Sequence, residues 1–420
     1  MNVTIHPSKL AGIVKVPASK SHFIRTLAAA MLAKGTSKIT NPSACDDAKA
    51  MLAIVEQTGA TIKPDGNLLE ITGTGEIPVD KTFGCGESAL VARLMLALAA
   101  LSSGKNNIEG TGTLLHRDLG DFEPVLEQLG AKCISSSGKV PVTIKGPIAG
   151  GKIEVDGTKS SQFISGLLMA LPLALKKSDV KIIHPKSKPY LDLTLDTLNT
   201  FGIRILNVNH NRFIINPDQK YTPAEVEIEG DWSSAAFLFV AGAIAGDIRI
   251  SGLNPLSLQA DRAVISALEK SGAQVIQKGA GYAISKSELK NFRFDATDSP
   301  DLFPPLVVLA AYCKGTSVIK GVSRLANKES NRAAALKDEF GKLGIEIVIF
   351  EDEMRITGGA VLGGEFSSRN DHRIAMAGAI AALGAKGPVI IQNAKCITKS
   401  WPAFYDSLKR LGTKIDVENP

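Results

Sequence analysis

The alternation of hydrophobic and polar positions along this chain predicts six copies of one structural pattern. In each copy an amphipathic run ends at a glycine and continues into an alternating run, as in VEQTGATI, LEQLGAKC and FGKLGIEI. This pattern is typical of the last turn of a helix, a C-cap glycine with positive φ, and the start of a strand. The six glycines lie 68 to 72 residues apart, at Gly59, Gly130, Gly202, Gly272, Gly344 and Gly412. Such a regular period indicates six related units.

Further strand-like runs with turn signals follow the first five copies, among them NLLEITGTGEI, VPVTIKGPI and MRITGGAVL. Each occurs where the second strand of a hairpin would follow the helix, glycine and first strand of its copy. The units therefore mix helices with several strands and predict an α/β (α+β) fold. Units of about 70 residues are long for a solenoid, whereas three of them make a domain of ordinary size.

We predict two domains of three units each, because 420 residues exceed what one ordinary core supports. The seam is expected near Glu225–Phe237, between the third and fourth units. Another crossing is expected just before Ser19, and the N-terminal strand GIVKVP would complete the last unit. The first domain then covers residues 19–229, and the second combines residues 1–18 with residues 230–420.

Composition and charge narrow the functional classes. A formal charge of +6 permits an anionic partner, but no block of lysines or arginines supplies it, so a nucleic-acid partner is not expected. No apolar run reaches the length of a membrane span, and no signal peptide is apparent, so no membrane partner is expected either. The five cysteines stand singly, which favours a reducing cytoplasm and argues against a structural zinc site.

The stretch VPASKSHFIR, residues 16–25, concentrates hydroxyl and cationic side chains at a predicted helix start. Ser19 or Ser21 is suited to cap the helix, and the free N–H groups of the helix would bind an anion. Lys20 and Arg25 add positive charge where the helix dipole disfavours it by about 0.3–1 kcal/mol per charge. A solvated basic face explains this stretch as well as a phosphate or carboxylate site does.

Basic, hydroxyl or amide side chains precede several other predicted helices, as if those helix starts converged on one anionic ligand. In the run DGTKSSQFISGL, Ser160 could also be no more than an N-cap. The other members of this set are Arg117, Ser161, Gln162, Ser187, Tyr190, Arg373 and Lys399. The recurrence, rather than any single member, indicates an anion site.

Two carboxylates stand among these cations. Asp301 directly precedes the apolar run LFPPLVVLAA, and Glu329 is flanked by Lys328 and Arg332. A helix cap and a surface ion pair would account for them, but an acid and a base among cations are also what proton transfer on an anionic substrate requires. The chain contains no HExxH motif, no GxGxxG motif after a strand and no Walker loop.

The chain resembles the 5-enolpyruvylshikimate-3-phosphate (EPSP) synthase family from end to end, because it contains a series of motifs of that family. The motifs, in the family's order and spacing, are PASKSHFIR, SSQFISGLLMALPL, SKPYLDLTLDTLNTFG, EGDWSSAAF, KESNR, NDHRIAMA and CITKSWPAF. The resemblance implies two inside-out domains, each of three βαβαββ units, with the ligand site in the interdomain cleft. It also implies an enzyme of aromatic amino acid biosynthesis. Nothing in the sequence demands an oligomer, so we expect a monomer, and the single cysteines favour the cytoplasm.

The reaction implied by this resemblance transfers the enolpyruvyl group of phosphoenolpyruvate to the 5-hydroxyl of shikimate 3-phosphate. It releases phosphate through a tetrahedral addition–elimination intermediate and needs no metal or cofactor. Asp301 would take the proton of the attacking hydroxyl. Glu329, helped by Lys20, would deliver a proton to the methylene carbon and later remove one.

The resemblance also implies two sets of binding residues. The residues expected to contact shikimate 3-phosphate are Lys20, Ser21, Arg25, Ser160, Ser161, Gln162, Ser187, Tyr190, Asp301 and Lys328. The residues expected to contact phosphoenolpyruvate are Lys20, Ala89, Arg117, Gln162, Arg332, Arg373 and Lys399.

One loop departs from the family pattern. The family has a sequence like Gly-Asn-Ala-Gly-Thr before a helical arginine, whereas this chain has GESALVAR, which ends at Arg93. Ala89 thus stands at the second glycine and Leu90 at the threonine. The extra methyl of Ala89 is expected to crowd the phosphoenolpyruvate site and to weaken inhibition by glyphosate, which occupies that space in family members. Glu87 replaces a neutral asparagine, and the sequence offers no account of it.

Two other functions stay open from sequence alone. UDP-N-acetylglucosamine enolpyruvyl transferase shares the fold and the donor, but it would carry a reactive cysteine in a mobile loop. The cysteine of this chain nearest to that region, Cys85, lies in the altered loop instead. A non-catalytic anion-binding derivative would need the cations, but it would not need Asp301 and Glu329.

Overall fold

The computed structural model describes residues 1–279 and 281–418. Residues 280, 419 and 420, which belong to the predicted second domain, lie outside the described residues. The chain divides into two compact units: unit 1 comprises Met1–Pro17 and Gly230–Pro420, and unit 2 comprises Ala18–Glu229. Ala18 therefore lies in unit 2, whereas the sequence analysis assigns it to the segment before the crossing.

The described residues form twelve α-helices and twenty-four strands. The helices are α1 (Lys20–Leu32), α2 (Asp46–Gln57), α3 (Ala89–Ala99), α4 (Phe122–Gln128), α5 (Ser161–Ala170), α6 (Lys188–Thr200), α7 (Trp232–Ala245), α8 (Val264–Lys270), α9 (Phe303–Ala311), α10 (Arg332–Lys342), α11 (His372–Ala382) and α12 (Phe404–Arg410). Short 3₁₀ turns occur at Gly112–His116, Leu171–Leu173, Ala260–Ala263, Pro300–Leu302, Val322–Arg324 and Ala394–Lys399.

The first fourteen strands comprise the two N-terminal strands of unit 1 and all the strands of unit 2. They are β1 (Asn2–Ile5), β2 (Leu10–Lys15), β3 (Gly35–Thr40), β4 (Thr61–Asp65), β5 (Leu68–Gly73), β6 (Thr82–Gly84), β7 (Lys105–Glu109), β8 (Lys132–Ser136), β9 (Lys139–Lys145), β10 (Lys152–Asp156), β11 (Ser178–Ile183), β12 (Ile205–Val208), β13 (Arg212–Ile215) and β14 (Glu225–Glu227). The remaining strands, all in unit 1, are β15 (Gly246–Ser251), β16 (Val275–Lys278), β17 (Gly281–Ser285), β18 (Arg293–Asp295), β19 (Thr316–Lys320), β20 (Glu346–Phe350), β21 (Glu353–Thr357), β22 (Gly364–Ser367), β23 (Val389–Gln392) and β24 (Ile415–Glu418).

Within the described residues, these strands form six four-stranded sheets that share one topology. Each sheet begins with a parallel pair and continues with two antiparallel pairs, as in the order β6-β7-β9-β8. The other orders are β14-β3-β5-β4, β10-β11-β13-β12, β2-β15-β17-β16, β18-β19-β21-β20 and β22-β23-β1-β24. The predicted α/β class and the six repeats are confirmed, and all six repeat glycines have positive φ, between 81° and 102°.

The predicted hairpins are also confirmed in the first five repeats, where each helix–glycine–strand run pairs with the following strand. The prediction for GIVKVP is wrong, because β2 joins the fourth repeat beside β15. In the sixth repeat β1 supplies the missing hairpin partner and pairs with β24 from Asn2–Glu418 to Ile5–Ile415. Val3 and Ile5 are fully buried, so this four-residue strand contributes directly to the core of unit 1.

Each unit has its own hydrophobic core. The first helix of each repeat is apolar on nearly all sides and is buried, and every residue of α3, α7, α9 and α11 is buried. In unit 2, α3 packs against α5, and in unit 1, α9 packs against α7 and α11. The sheets cover these helices with one face and leave alternate residues exposed, as along β15. Polar residues that start the buried helices are therefore fixed by a rigid interior.

Among the residues that the structure describes, none of the helices combines the length and the apolar character needed to span a lipid bilayer.

Candidate active site

In unit 1 the carboxylate of Asp301 is surrounded by three cations. Asp301 lies in the 3₁₀ turn Pro300–Leu302, which leads directly into the buried helix α9. Its Oδ1 accepts from Arg332 Nη1 at 2.6 Å and from Lys328 Nζ at 3.3 Å, and its Oδ2 lies 3.2 Å from Arg373 Nη2. Its side chain makes no helix-capping bond to either element. The helix-cap interpretation of Asp301 is thus wrong.

These cations decide the protonation state of Asp301. Burial by itself would raise the pKa of the carboxyl, but Arg373, Lys328 and Arg332 outweigh it and hold the pKa well below its usual range. Asp301 is therefore ionised throughout the physiological range. The same environment disfavours the charged form of Lys328, because burial lowers the pKa of its amine to about 8 although Asp301 lies nearby. Lys328 thus loses its charge just above neutral pH.

Arg332 links three carboxylates. It is the first residue of α10, its side chain is 1% exposed, and its guanidinium donates to Asp301, to Glu329 Oε2 at 2.6 Å and to both oxygens of Asp371 at 2.8 and 3.2 Å. The Glu329 side chain is only 10% exposed, so a surface ion pair is a wrong description of it. The fork of five N–H donors on arginine suits such a hub, and a lysine could not replace it.

Asp371 is a functional candidate that the sequence analysis did not single out. It is fully buried, accepts from Arg332 and from Ser330 Oγ at 3.1 Å, and caps α11 through the Arg373 amide at 3.0 Å. It therefore fixes the side chain of one predicted phosphoenolpyruvate residue, Arg332, and the backbone of another, Arg373. In the sequence it looks like an ordinary N-cap, which it also is.

The loop before Asp371 is held by a second buried acid, Glu339 on α10. Its carboxylate accepts from the amide of Ser367 at 2.8 Å and from Arg369 Nε at 2.9 Å. Burial by itself would raise the pKa of Glu339, but Lys342, the Ser367 amide and Arg369 together lower it. Helix α10 thus positions the start of α11 through two separate acid–base contacts.

A further buried acid, Asp261, lies within electrostatic range of this cluster. It is fully buried and accepts a hydrogen bond from Ser233 Oγ, while its Oδ1 has no hydrogen-bond partner in the part of the chain that the structure describes. Burial, followed by repulsion from Asp301, raises the pKa of Asp261 to about 6. The remaining predicted residue of unit 1, Lys399, ends the 3₁₀ turn Ala394–Lys399 and is 6% exposed.

In unit 2 the motif at residues 16–25 forms the start of α1. Ser19 is the N-cap and accepts from the His22 amide at 3.4 Å, which confirms one of the two predicted caps. Lys20, the first helical residue, forms a 2.9 Å ion pair with Asp47 Oδ2 on α2. Asp47 is 5% exposed and was not singled out from the sequence. Burial, followed by Arg25, lowers the pKa of His22 to about 4, so its imidazole is neutral.

Arg25 is a buried cation whose hydrogen-bond acceptors are neutral. It donates to Thr194 Oγ1 at 2.8 Å, to the Ser21 carbonyl at 2.9 Å and to Ser165 Oγ at 3.4 Å. The Tyr190 ring centroid lies 6.0 Å from the guanidinium. Burial lowers the pKa of Arg25 to about 10. None of the described residues places a carboxylate against Arg25, and such a buried charge is costly, which favours an anionic ligand at this place.

The start of α5 combines a cap with an oriented amide. Ser160 is the N-cap and accepts from the Gln162 amide at 3.1 Å, which agrees with its interpretation as a helix cap. The Gln162 side chain is held separately, because its Oε1 accepts from Arg93 Nη1 on α3 at 2.7 Å. Ser161 is buried at the first position of α5. Ser187, also buried, precedes α6 with a left-handed φ of 54°.

Arg93 also fixes the backbone next to Arg117. Its Nη2 donates to the Asp118 carbonyl at 2.6 Å and its Nε to the Leu119 carbonyl at 3.1 Å. Arg117 itself is the C-cap of the 3₁₀ turn Gly112–His116 and is 6% exposed. Arg93 therefore couples two residues predicted to bind phosphoenolpyruvate, Gln162 and Arg117. The sequence shows Arg93 only as the helical arginine of the altered loop.

The altered loop leads directly into α3. Ser88 caps this helix by accepting from the Val91 amide at 3.4 Å. Ala89 and Leu90 are the first two helical residues, and both are buried. Glu87 binds Thr113, and its Oε2 accepts from the Thr113 amide at 2.9 Å and from the Thr113 hydroxyl at 2.7 Å. The structure thus supplies the account of Glu87 that the sequence lacks.

Most of the predicted site residues fall into three groups by contact. Asp301, Lys328, Glu329, Arg332 and Arg373 form one network in unit 1. In unit 2, Ser21, Arg25 and Tyr190 lie together. Gln162 and the backbone after Arg117 are linked through Arg93. The residues that sequence reasoning missed, Asp47, Arg93, Asp261, Asp371 and Glu339, are mostly partners that hold these groups in place.

Comparison with known proteins gives consistent matches along the chain. A sequence model of the family described as EPSP synthase (3-phosphoshikimate 1-carboxyvinyltransferase) matches residues 5–408. The 3-phosphoshikimate 1-carboxyvinyltransferase of Methanocorpusculum labreanum is 35% identical over 423 residues and covers 100% of both chains. Those of Clostridium perfringens strain SM101 and Thermococcus kodakarensis are 39% and 38% identical, covering 97% and 96% of this chain and 98% of each relative.

Solved structures give the same picture for the fold. An EPSP synthase from Acinetobacter baumannii superposes with a TM-score of 0.83 at 27% identity, covering 100% of both chains. The enolpyruvyl transferase NikO from Streptomyces tendae has a TM-score of 0.78 at 18% identity and covers 100% of this chain and 99% of its own. The latter similarity concerns the fold alone.

Proposed function

This chain belongs to the EPSP synthase family, and on that premise we propose how its residues divide the work of the reaction. The protein is a 3-phosphoshikimate 1-carboxyvinyltransferase, which transfers the enolpyruvyl group of phosphoenolpyruvate to shikimate 3-phosphate in aromatic amino acid biosynthesis. The function expected from the sequence is thereby confirmed. The residue roles below are our assignment.

The network around Asp301 carries the assignment. It combines the ionised carboxylate of Asp301 with three cations that each lie within 3.3 Å of it, and with a second acid, Glu329, that accepts from one of them, Arg332. Catalysis on an anionic donor needs cations that bind its phosphate and carboxylate, and it needs groups that move protons beside them. A protein that only binds anions has no use for two carboxylates that compete for those cations.

In the addition step, Asp301 accepts the proton of the 5-hydroxyl of shikimate 3-phosphate as that oxygen bonds to C2 of phosphoenolpyruvate. Glu329, in its protonated form and helped by Lys20, gives a proton to the methylene carbon, which becomes a methyl group in the tetrahedral intermediate. The three cations that ionise Asp301 also weaken it as a base. Anionic groups of the substrates share these cations when they bind, which raises the pKa of Asp301 toward a value suited to accepting a proton.

In the elimination step, Glu329 takes a proton back from the methyl group while the C2–O bond to phosphate breaks. The double bond reforms in the enolpyruvyl product, and inorganic phosphate leaves with the proton that Asp301 took from the 5-hydroxyl. Arg332, Arg373 and Lys399, with Arg117 and Gln162, bind the phosphate and carboxylate of the donor and stabilise the charge that develops on the leaving group. Ala89 borders the same donor site.

Shikimate 3-phosphate is bound mainly by hydroxyl and cationic groups of unit 2. The buried charge of Arg25 among neutral acceptors supports an anion at this place. Ser160 and Gln162, both half-buried, lie at the start of a helix whose N–H groups favour a phosphate. The full set that we assign to this substrate is Lys20, Ser21, Arg25, Ser160, Ser161, Gln162, Ser187, Tyr190, Asp301 and Lys328.

We also propose a cytoplasmic monomer, because the cysteines of the described residues are all free thiols and the assigned groups all come from one chain. Light scattering of the purified protein, coupled to size-exclusion chromatography, tests the monomer by giving one mass near 44.3 kDa.

The assignment is tested by phosphate release from phosphoenolpyruvate, measured with and without shikimate 3-phosphate. We expect release that depends on the acceptor and that falls by about 10²–10⁴ in Asp301→Asn, while binding of shikimate 3-phosphate persists in a thermal-shift assay. Lys20→Ala should lose both release and part of the binding. An Asp301→Asn variant that is folded and still active at the wild-type rate would contradict the role of Asp301.

The same assay separates the two alternatives. Release that required UDP-N-acetylglucosamine instead of shikimate 3-phosphate would favour the related transferase. A thermal shift with shikimate 3-phosphate but no phosphate release would favour a non-catalytic binder.

A further inference from the structure

We propose that Glu87 is a positioning residue for Arg117: it fixes the turn that ends at Arg117 and thereby sets the affinity for phosphoenolpyruvate. This inference rests on the proposed role of Arg117 in donor binding. On the proposed function, the loop that contains Glu87 lies beside an anionic donor, and a negative charge by itself would weaken binding there. The contacts of Glu87 explain why it is tolerated there.

Glu87 completes the hydrogen bonding of the turn Gly112–His116. The N-cap of this turn, Thr111, makes no side-chain capping bond. Glu87 Oε2 supplies the missing acceptor from another part of the chain, because it binds both the amide and the hydroxyl of Thr113. The same turn closes at Arg117, whose amide donates to the Leu114 carbonyl at 3.1 Å. The position of the Arg117 backbone thus depends on a turn that Glu87 caps.

Two backbone hydrogen bonds also join the loop around Glu87 to the segment that leads into the turn. The Cys85 amide donates to the Glu109 carbonyl at 2.8 Å, and the Thr111 amide donates to the Gly86 carbonyl at 2.8 Å. Beyond Arg117, the side chain of Arg93 holds the next two carbonyls. Arg117 is therefore held on both sides, by Glu87 before it and by Arg93 after it.

The turn is shaped to receive the carboxylate. Gly112 has a φ of 54°, and a Cβ added there would lie 2.4 Å from the Glu87 Cδ and 2.5 Å from its Oε1. Only glycine combines this left-handed conformation with such a close approach. A side chain at this position would displace Glu87 from the turn and would strain the backbone as well.

The charge of Glu87 and its hydrogen bonds can be separated by two substitutions. Glu87→Gln keeps a carbonyl oxygen that accepts from Thr113 and removes the charge, whereas Glu87→Ala removes both. If Glu87 acts by position, Glu87→Ala raises the KM for phosphoenolpyruvate by about 3- to 10-fold, and Glu87→Gln stays within twofold of wild type. In both variants kcat and the KM for shikimate 3-phosphate should change by less than about twofold, because the reacting groups are untouched.

Thr113→Ala provides a second measurement of the same contact. It should raise the KM for phosphoenolpyruvate in the same direction, and the double variant Glu87→Ala/Thr113→Ala should be no worse than Glu87→Ala alone. Gly112→Ala should resemble Glu87→Ala in its KM. Glu56→Ala, which removes another exposed glutamate of unit 2 on α2, is the matched control and should leave both KM values unchanged.

Arg117→Ala is measured in parallel, so that failure of this inference and failure of the proposed function can be told apart. If Arg117→Ala raises the KM for phosphoenolpyruvate strongly and Glu87→Ala does not, the positioning role of Glu87 is refuted and the donor site stands. If Glu87→Gln changes the KM as much as Glu87→Ala, charge rather than position is responsible, and the inference is overturned. If Arg117→Ala has no effect, the donor role of Arg117 fails and takes the role of Glu87 with it.

Discussion

Asp261 is a completely buried acid of unit 1, and its replacement by asparagine should make the protein more stable at neutral pH. Ser233 donates a hydrogen bond to one carboxylate oxygen, and the other has no partner among the described residues. Burial and the nearby Asp301 raise the pKa of Asp261 from 3.8 to about 6. Ionised Asp261 is therefore a liability for the folded state, and asparagine has the same shape without the charge.

The magnitude follows from this pKa. The folded protein binds more protons than the unfolded chain between pH 3.8 and about 6, so the free energy of unfolding decreases as the pH rises through this window. Each pKa unit corresponds to 1.36 kcal/mol, so the full penalty, present above pH 6, is about 3 kcal/mol. An asparagine amide would still accept from Ser233 but would bury an unpaired N–H, which costs about 1–2 kcal/mol. We expect Asp261→Asn to gain about 1–2 kcal/mol at pH 7.5.

Urea unfolding at pH 7.5 and at pH 4.5 tests this value. At pH 4.5 most of the penalty of the wild type is gone, so the advantage of Asp261→Asn should vanish or reverse. Glu269→Gln, an exposed carboxyl-to-amide change on α8, is the control and should stay within about 0.5 kcal/mol of wild type at both pH values. An Asp261→Asn variant that is less stable at pH 7.5, or equally stabilised at both pH values, would refute the reasoning.

Two further predictions concern the substrates. Burial lowers the pKa of Lys328 to about 8, so the KM for shikimate 3-phosphate should increase when the pH exceeds that value and the charge is lost. Lys328→Arg, which stays charged throughout, should remove this increase in a pH series. An unchanged pH profile in that variant would exclude Lys328 as the cause. Ala89 is buried at the start of α3, so Ala89→Gly should lower the inhibition constant for glyphosate by about tenfold or more, and an unchanged constant would remove the steric explanation.

The sequence predicts the repeats of the fold better than it predicts where the N-terminal strands pair. The glycine period identified six repeats because each repeat needs a residue with positive φ at the same helix end, and that local requirement is visible in the chain. The pairing of β1 and β2 was not predictable in the same way. Both strands are short, and their partners lie more than 230 residues away, so no local pattern distinguishes the fourth repeat from the sixth.

The site shows a similar division. Asp301, Glu329 and their cations could be named from the sequence because their chemical types stand out beside helix starts. The partners that orient them could not, because contacts such as Arg93–Gln162 and Arg332–Asp371 join residues 69 and 39 positions apart. Asp371 looks like an ordinary N-cap and Asp47 like an ordinary first-turn acid, and only tertiary packing directs them onto Arg332 and Lys20.

The use of the N-terminal strands in the fourth and sixth repeats has a consequence for synthesis on the ribosome. Unit 2 is one continuous segment with its own core, so it can fold as soon as residue 229 has left the exit tunnel. Strand β2 can pair once residues 246–251 have been made, but β1 must wait much longer, because it pairs with residues 389–391 and 415–418. Strand β1 is thus made long before its partners, and until residues 415–418 emerge it has an unpaired edge open to chaperones or to misfolding.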